Sequence, residues 1–307
     1  MAISFFKTLD YVLSQNISEI RRFHRISEDD AIHRAKQFLV ENSADYYSEN
    51  PSLHYNDPLC RFAYLYTYVG AHANLVDNAF YRFNSLGDFV ENKLQGGQTL
   101  HICSLGGGPG SELLGFVKFI ERVGHPKSRV DLSFTLIDTI PEWDETWHAL
   151  VQGMEETFKT KYGASRRDWP IVVHRSFLPL NLTRLDDFKH FAARFKEIEI
   201  FILNHTVSEL LAYKDDLRKV FNNLVERAPD GTYFLFIDRN QQPVLDLVNS
   251  LLNNSELVSF ETKIENKNMD GDEQKSDLGR WYSSMGRDPK LTWKAFYSLA
   301  QKKAFPF

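Results

Sequence analysis

The residues of this sequence best spaced for chemistry begin at the end of an apolar run, Leu100–Leu105. There Gly106-Gly107-Gly108-Pro109-Gly110 forms a dense turn, and Ser111-Glu112-Leu113-Leu114 opens a helical pattern. Such a turn lets backbone approach a ligand with no Cβ in the way, and a helix start offers free N–H groups. A single glycine pair is ordinary turn geometry, but four glycines in five positions ask for a ligand. A second signal follows at Phe134–Ile137, an apolar strand ending in Asp138. An acid at the tip of the second strand of a doubly wound sheet bonds the ribose hydroxyls of a nucleotide-like ligand. The interval exceeds the usual ~20 residues because a full helix and the loop 124–129 intervene. Trp143, just beyond Asp138, is placed to cover an adenine ring or to pack on the sheet.

Proton chemistry has one candidate place. The run Ile198–Leu203 ends at Asn204-His205-Thr206-Val207-Ser208-Glu209. His205 stands where a base could reach a substrate hydroxyl or ring nitrogen, with an unperturbed pKa suited to neutral pH. Glu209, four residues on, could orient it from the same helical face. Arg61, Tyr64, Tyr68 and His72 fall on one stripe of an apolar helix by their spacing of three and four. That stripe suits a wall over a cofactor or a platform for a base or ring, and an aromatic core helix is the bland alternative. No metal-ligand spacing appears among the ten histidines, so no metal site is expected. Cys60 and Cys103 provide neither a disulfide framework nor a nucleophile after the fourth strand.

Elements must position these groups. Residues 1–90 read as helical, with Asp57-Pro58 as the start signal of a long helix reaching about Phe83. Gly96-Gly97 breaks the rhythm. Strands are then predicted at Thr99–Ser104, Asp131–Ile137, Ile171–His174, Ile198–Leu203 and Thr232–Ile237. Helices between them are predicted at Ser111–Val123, Asp144–Tyr162, Leu185–Phe195 and Tyr213–Arg227. A helix at Gln242–Leu252, a strand near Val258–Ile264, a loop over Glu265–Asp277 and a final run Leu291–Gln301 complete the chain. The alternation predicts a parallel α/β sheet with helices on both faces. A helical extension or lid, 1–94, precedes the domain 95–307.

Of 307 residues, 43% are hydrophobic and 14% aromatic, ample for a core, and 36 Lys and Arg against 41 Asp and Glu give a net charge of −5. That balance argues against coating nucleic acid by bulk electrostatics. It leaves room for local basic clusters: Arg21, Arg22, Arg25, His33, Arg34 and Lys36; Arg166 and Arg167; and Arg280, Arg287 and Lys290. No apolar run is long enough to span a membrane and no leader pattern opens the chain, so a soluble intracellular protein, cytoplasmic or nuclear, is expected.

Gly106–Gly110 resembles the G-x-G-x-G turn of class I S-adenosylmethionine (SAM)-dependent methyltransferases. A nicotinamide-binding domain would need a glycine where Ser111 stands. The order of elements over roughly residues 95–301 is similar too. The resemblance implies a doubly wound, seven-stranded Rossmann-like sheet whose last strand is antiparallel. It also implies SAM as cofactor, with Gly106, Gly107, Gly108, Pro109 and Gly110 at its amino-acid end and Asp138 on its ribose. Ser104 departs from the family, which commonly has an acid there, so the cofactor's ammonium must be met partly from elsewhere. Ser176 and Phe177 are candidates for the adenine edge and face, and Asn204 for the cofactor's side of the fourth strand. The family's (N/D)-P-P-(F/Y/W) motif for exocyclic amines is missing at Asn204-His205-Thr206, which disfavours that acceptor.

The glycine turn followed by an acid and a tryptophan is also similar to fungal ribosomal RNA uridine-N3 methyltransferases. The expectation is a methyltransferase acting on RNA through its local basic clusters. Two alternatives stand beside it. One is a small-molecule or protein methyltransferase using the aromatic helix as lid, which a closed cavity would favour over an open basic groove. The other is a non-catalytic scaffold subunit with a protein partner, which failure to bind SAM would favour.

Overall fold

Four helices open the chain: α1 (Phe5–His24), α2 (Glu28–Glu41), α3 (Pro58–Arg82) and α4 (Asn84–Gln95). The computed structural model describes residues 5–41, 54–123, 130–165, 169, 171–260, 262–268 and 278–304. α3 begins where the sequence predicts. Asp57 accepts a hydrogen bond from the Leu59 N–H at 2.8 Å, and Pro58 fills a first-turn position that needs no donor.

The α/β part follows as β1 (Leu100–Leu105), α5 (Ser111–Val123), β2 (Val130–Ile137), α6 (Trp143–Tyr162) and β3 (Ile171–Leu178). After two short helices, α7 (Leu185–Lys189) and α8 (Ala192–Phe195), come β4 (Ile200–Asn204), α9 (Thr206–Glu209), α10 (Lys214–Arg227), β5 (Tyr233–Arg239) and α11 (Gln242–Leu252). The chain closes with β6 (Leu257–Ser259), β7 (Lys263–Asn268), α12 (Arg280–Met285) and β8 (Thr292–Lys302). The sheet order is β3-β2-β1-β4-β5-β8-β6, with β7 also paired to β8. Strands β1 to β5 are parallel, and β8 is antiparallel between β5 and the edge.

The eighth strand comes from a break in the predicted sixth, near Val258–Ile264, which divides into β6 and β7. From the Ser259–Ala300 pair to the Lys263–Tyr297 pair, the edge advances four residues while β8 advances three. One extra residue on an edge strand is a β-bulge, which splits one strand into two. Glu265–Asn268, expected as loop, belong to β7; a polar run is what an edge strand tolerates. The same reasoning explains β3, which runs past the predicted His174 to Leu178. As the other edge it carries exposed His174 and Arg175, paired with Asp131 and Asp144. The predicted helix Leu185–Phe195 divides into α7 and α8. The segment 124–129, Arg166, Arg167 and 269–277 lie outside the described residues.

Alternation along the strands sorts two cores. Leu100, Ile102, Ile200, Ile202, Leu235 and Ile237 join one core with α1, α3, α5 and α6. Cys103, Leu105, Phe201, Leu203, Phe234 and Phe236 join the other with α7, α8, α10 and α11. α3 and α5 touch backbone to side at Gly115, where a Cβ would lie 2.2 Å from the Ala73 carbonyl oxygen. That contact lays α3 over the start of α5 and carries its Tyr64–His72 stripe to the sheet edge. No helix among the described residues is long and apolar enough to cross a membrane.

Candidate active site

β1 and β4 are neighbours, and the chain departs from them toward opposite edges of the sheet. The crevice outside their carboxyl ends is therefore the ligand-binding place of such a sheet. The glycine turn after β1 is built largely by the protein's own packing. Gly106 and Gly110 have φ of +68° and +86°, and Cβ atoms there would lie 2.6 Å from Thr206 Cγ2 and 2.4 Å from the Trp147 ring. At Gly107 a Cβ would lie 2.5 Å from Ser104 Oγ. Gly108 differs: φ is +48°, and its nearest neighbour is the Trp143 ring at 3.7 Å. It is the one glycine of the turn whose outer face is open to an approaching ligand.

Asp138, at the tip of β2, meets this turn. Its Oδ2 accepts from the Gly108 N–H at 2.9 Å and its Oδ1 from the Ile140 N–H at 3.0 Å. Burial pushes its carboxyl up to about 6, against the pull of those backbone donors. Trp143 is buried beside Gly108, with Tyr55 and Tyr64 against its ring at 5.3 and 5.7 Å. Glu209, at the end of α9, is exposed; desolvation by the surrounding protein pushes its carboxyl up to about 7, the charge of Asp138 adding to the effect.

The ends of β4 and β5 supply a histidine and an acid. His205 adopts a left-handed backbone, φ 60°, rare for a residue with a side chain, and its N–H is held by the Ile237 carbonyl at 2.7 Å. Its Nδ1 lies 3.5 Å from Asp238 Oδ1, and Asp238 is fixed by the Ser208 N–H at 2.9 Å. Burial holds the His205 imidazole below its usual range; Asp238 stays below the carboxylate range despite burial because His205 and Ser208 favour its charge. Glu209 is not the partner expected for His205; Asp238 takes that place.

Helix α3 closes the arrangement. His72 stacks on His205 with ring centroids 4.3 Å apart, and Tyr64 Oη is 3.2 Å from His72 Nδ1. Trp293, from β8, meets His205 edge-on at 4.5 Å and His72 at 5.0 Å, and Tyr68 packs at its edge. Lys290 Nζ stands 3.6 Å over the Trp293 ring, its ammonium pushed down to about 8 by burial and by Arg239. Tyr64, Tyr68 and His72 are thus gathered at His205.

Arg61 is not. It is buried near the start of α3, its guanidinium spent on Glu19 of α1 and on the Tyr55 carbonyl. Ser176 and Phe177 lie within β3 rather than in the loop after it. The Ser176 hydroxyl accepts from Arg194 at 2.8 Å, and Phe177 packs on the core. Asn204 and Ser104 are both buried beneath the turn. The sequence pattern offered Lys290 only as part of a basic cluster and did not single out Asp238 or Trp293; an acid closing the fifth apolar strand was the available signal for Asp238. Both cysteines are buried, and burial pushes the Cys103 thiol up, away from nucleophilic use. Among the described residues no cluster of His, Cys, Asp or Glu is placed to hold a metal. A cavity of about 290 Å³ between α1 and α6, lined by Asn16, Glu19, Arg22, Glu145 and Gln152, contains none of these groups.

The crevice fits a SAM-like nucleoside: an open-faced glycine for close backbone approach and a carboxylate at the second strand tip for ribose. A family described as "Putative SAM-dependent methyltransferase" matches residues 13–241. No curated protein matches the chain. Among solved structures, it is similar to a SAM-dependent methyltransferase from Methanosarcina mazei, at 10% identity over 67% of this chain and 93% of that one, TM-score 0.40. The N-methyltransferase NodS from Bradyrhizobium japonicum, in complex with S-adenosylhomocysteine, gives 11% identity over 70% and 85%, TM-score 0.34. Precorrin-6y C5,15-methyltransferase from Geobacter metallireducens gives 10% over 70% and 87%, TM-score 0.35. With the family matched over most of its length, on a sheet of that topology, the chain belongs to the SAM-dependent methyltransferases.

Proposed function

We propose that the acceptor is a nucleobase in RNA and that His205, oriented by Asp238, takes the proton released as the methyl group is accepted. The observation that carries the acceptor reading is the cation over the ring: Lys290 Nζ lies 3.6 Å above Trp293 and 5.6 Å from the Tyr68 ring. Cations meet phosphates, so an ammonium held at the edge of this aromatic wall suits a nucleotide approaching an otherwise acidic protein. Further cations lead outward from it. The Arg287 guanidinium sits on the Leu39 carbonyl of α2, and Lys36 packs at Gly286. Beyond them Arg22, Arg25 and Arg34 are exposed on α1, at its C-terminal end and on α2.

Bound SAM supplies an electrophilic methyl on a sulfonium for in-line displacement. The protein's part is placement and proton transfer. The open face of Gly108 and the Asp138 carboxylate would hold the cofactor's nucleoside, with Trp143 beside it. His205 is neutral at pH 7, and with Nδ1 turned to Asp238 its Nε2 carries the lone pair that accepts a proton. A ring N–H is the kind of acceptor that needs this help.

A second reading has its own support. Tyr68 and His72 of α3 and Trp293 of β8 are only 6%, 3% and 8% exposed, an enclosure that suits a small aromatic acceptor. Methyl transfer from radiolabelled SAM to total RNA and to a metabolite extract separates the two. Label in RNA, reduced in Lys290→Ala, supports the first; label in metabolites alone overturns it. Asp238→Asn and His205→Gln should lower kcat by about 10²–10⁴ with SAM affinity kept.

A further inference from the structure

One buried acid has no part in the chemistry above. Glu112 is the second residue of α5, just past the glycine turn, and is 2% exposed. Its Oε1 accepts from Ser111 Oγ and from Asn204 Nδ2, each at 2.9 Å. Its Oε2 has no donor, and neither has Oδ1 of the same Asn204 amide. The Ser104 hydroxyl lies against the carboxyl, and the charge of Glu112 is felt at Tyr64 on the crevice wall.

Buried acceptors without donors are costly, and a buried carboxylate without a counter-charge more so. Burial accordingly pushes the Glu112 carboxyl up. Two such acceptors share this point, between the ends of the adjacent strands β1 and β4 and directly behind the turn. Their complement is a small cation with several N–H donors. The residue in β1 that commonly carries an acid for this purpose is Ser104 here.

We infer that Glu112, with Asn204 beside it, receives the α-ammonium group of SAM, doing from the first turn of α5 what an acid at position 104 would do from β1. The inference rests on the glycine turn being the cofactor site. It makes Glu112 a determinant of cofactor recognition with no role in proton transfer. Selectivity for an amino-acid tail over a neutral one then comes from this buried pair.

The test is titration calorimetry with S-adenosylhomocysteine and with its analogue bearing hydrogen in place of the α-amino group. The wild-type protein should prefer the amine by roughly 10- to 100-fold, the range of a charge-assisted hydrogen bond. Glu112→Gln keeps the shape and should bind both ligands alike, at the level of the analogue. Asn204→Ala, which leaves the carboxylate, should lose part of the preference. A wild-type protein that binds both equally well overturns the inference while leaving the cofactor site intact. So does a Glu112→Gln protein that keeps the full preference. A wild-type protein that binds neither overturns the glycine-turn site, and the inference with it.

Discussion

Gly108→Ala and Gly110→Ala separate the two duties of the turn, because the structure gives them different costs. At Gly110 an alanine meets two penalties. A left-handed residue with a Cβ costs about 1–2 kcal/mol, and φ is +86° here. The Cβ also lies 2.4 Å from Trp147 Cε3 and 3.3 Å from Leu136 Cδ1, both fully buried. Overpacking of that kind costs about 1–3 kcal/mol, so the sum is about 2–5 kcal/mol. At Gly108 φ is +48°, near the left-handed basin, and nothing lies closer than 3.7 Å. Only the backbone penalty of about 1 kcal/mol remains. With an unfolding entropy near 2.1 cal/mol/K per residue, 1 kcal/mol is about 1.5 °C in a chain of 307 residues. Gly110→Ala should thus melt about 3–8 °C below wild type and Gly108→Ala about 1.5 °C below. Calorimetric titration with S-adenosylhomocysteine should rank them the other way per degree lost. The Gly108 methyl projects from the open face, and affinity should fall at least about tenfold while the fold holds. A Gly110→Ala protein within a degree of wild type would refute the packing argument. Unchanged affinity in Gly108→Ala would refute the assignment of the open face to the cofactor.

Three further variants probe the rest of the frame. Burial pushes the Asp138 carboxyl up from the ordinary carboxylate range to about 6; its contribution to apo-protein stability is present below about pH 4 and is lost as pH rises through 6. Ribose hydroxyls donate to the ionised form, so S-adenosylhomocysteine affinity should climb through a midpoint near pH 6 and be flat in Asp138→Asn. A wild-type affinity level from pH 5 to 7 would contradict this. Arg61→Ala should cost about 1–3 kcal/mol by urea denaturation and leave KM for both substrates unchanged. That is less than the 3–5 kcal/mol of a fully buried pair, because Glu19 keeps 20% of its side chain exposed. A raised acceptor KM would return Arg61 to the substrate site. Gly115→Ala drives a Cβ to 2.2 Å from the Ala73 carbonyl oxygen and 2.7 Å from Val76 Cβ. It should destabilise by about 3 kcal/mol, and a protein as stable as wild type would show that α3 and α5 can part cheaply.

What the sequence disclosed of this site follows from how far each contact reaches along the chain. The glycine turn, Asp138 and the start of α3 were legible because local backbone demands choose their residue types: positive φ, a strand tip, a capped helix. His205 was visible as a candidate, but its acid was not. The β4–β5 register sets Asn204 opposite Ile237, which makes the next residues, His205 and Asp238, neighbours. Spacing along one segment suggested Glu209 instead, and register between strands cannot be read from spacing. Trp293 reaches the same edge only because β8 runs antiparallel beside β5. Arg61 shares a helical stripe with Tyr64 and Tyr68 in sequence, but α1 covers that turn and offers Glu19. The edge strands β3 and β7 were read as shorter or as loop because polar residue types serve edge strands and loops alike.

The glycine turn also carries a lesson about what a motif marks. Gly106, Gly107 and Gly110 are required by Thr206, Ser104 and Trp147, so they report the closeness of the βα turn to β4 and α6. Of the turn's glycines, only at Gly108 does the protein's own packing leave room for a Cβ, with nothing closer than 3.7 Å. The family match, residues 13–241, includes the turn, Asp138, His205, Asp238 and the α3 stripe, whereas Lys290 and Trp293 lie beyond it. Membership therefore speaks for the cofactor, whereas the acceptor reading proposed above rests on residues beyond the matched segment. If the proposed function holds, substitutions at Lys290 or Trp293 should change which acceptor is methylated, and substitutions at Asp138 or His205 should change whether methylation occurs, as transfer from radiolabelled SAM to RNA and to metabolites would read.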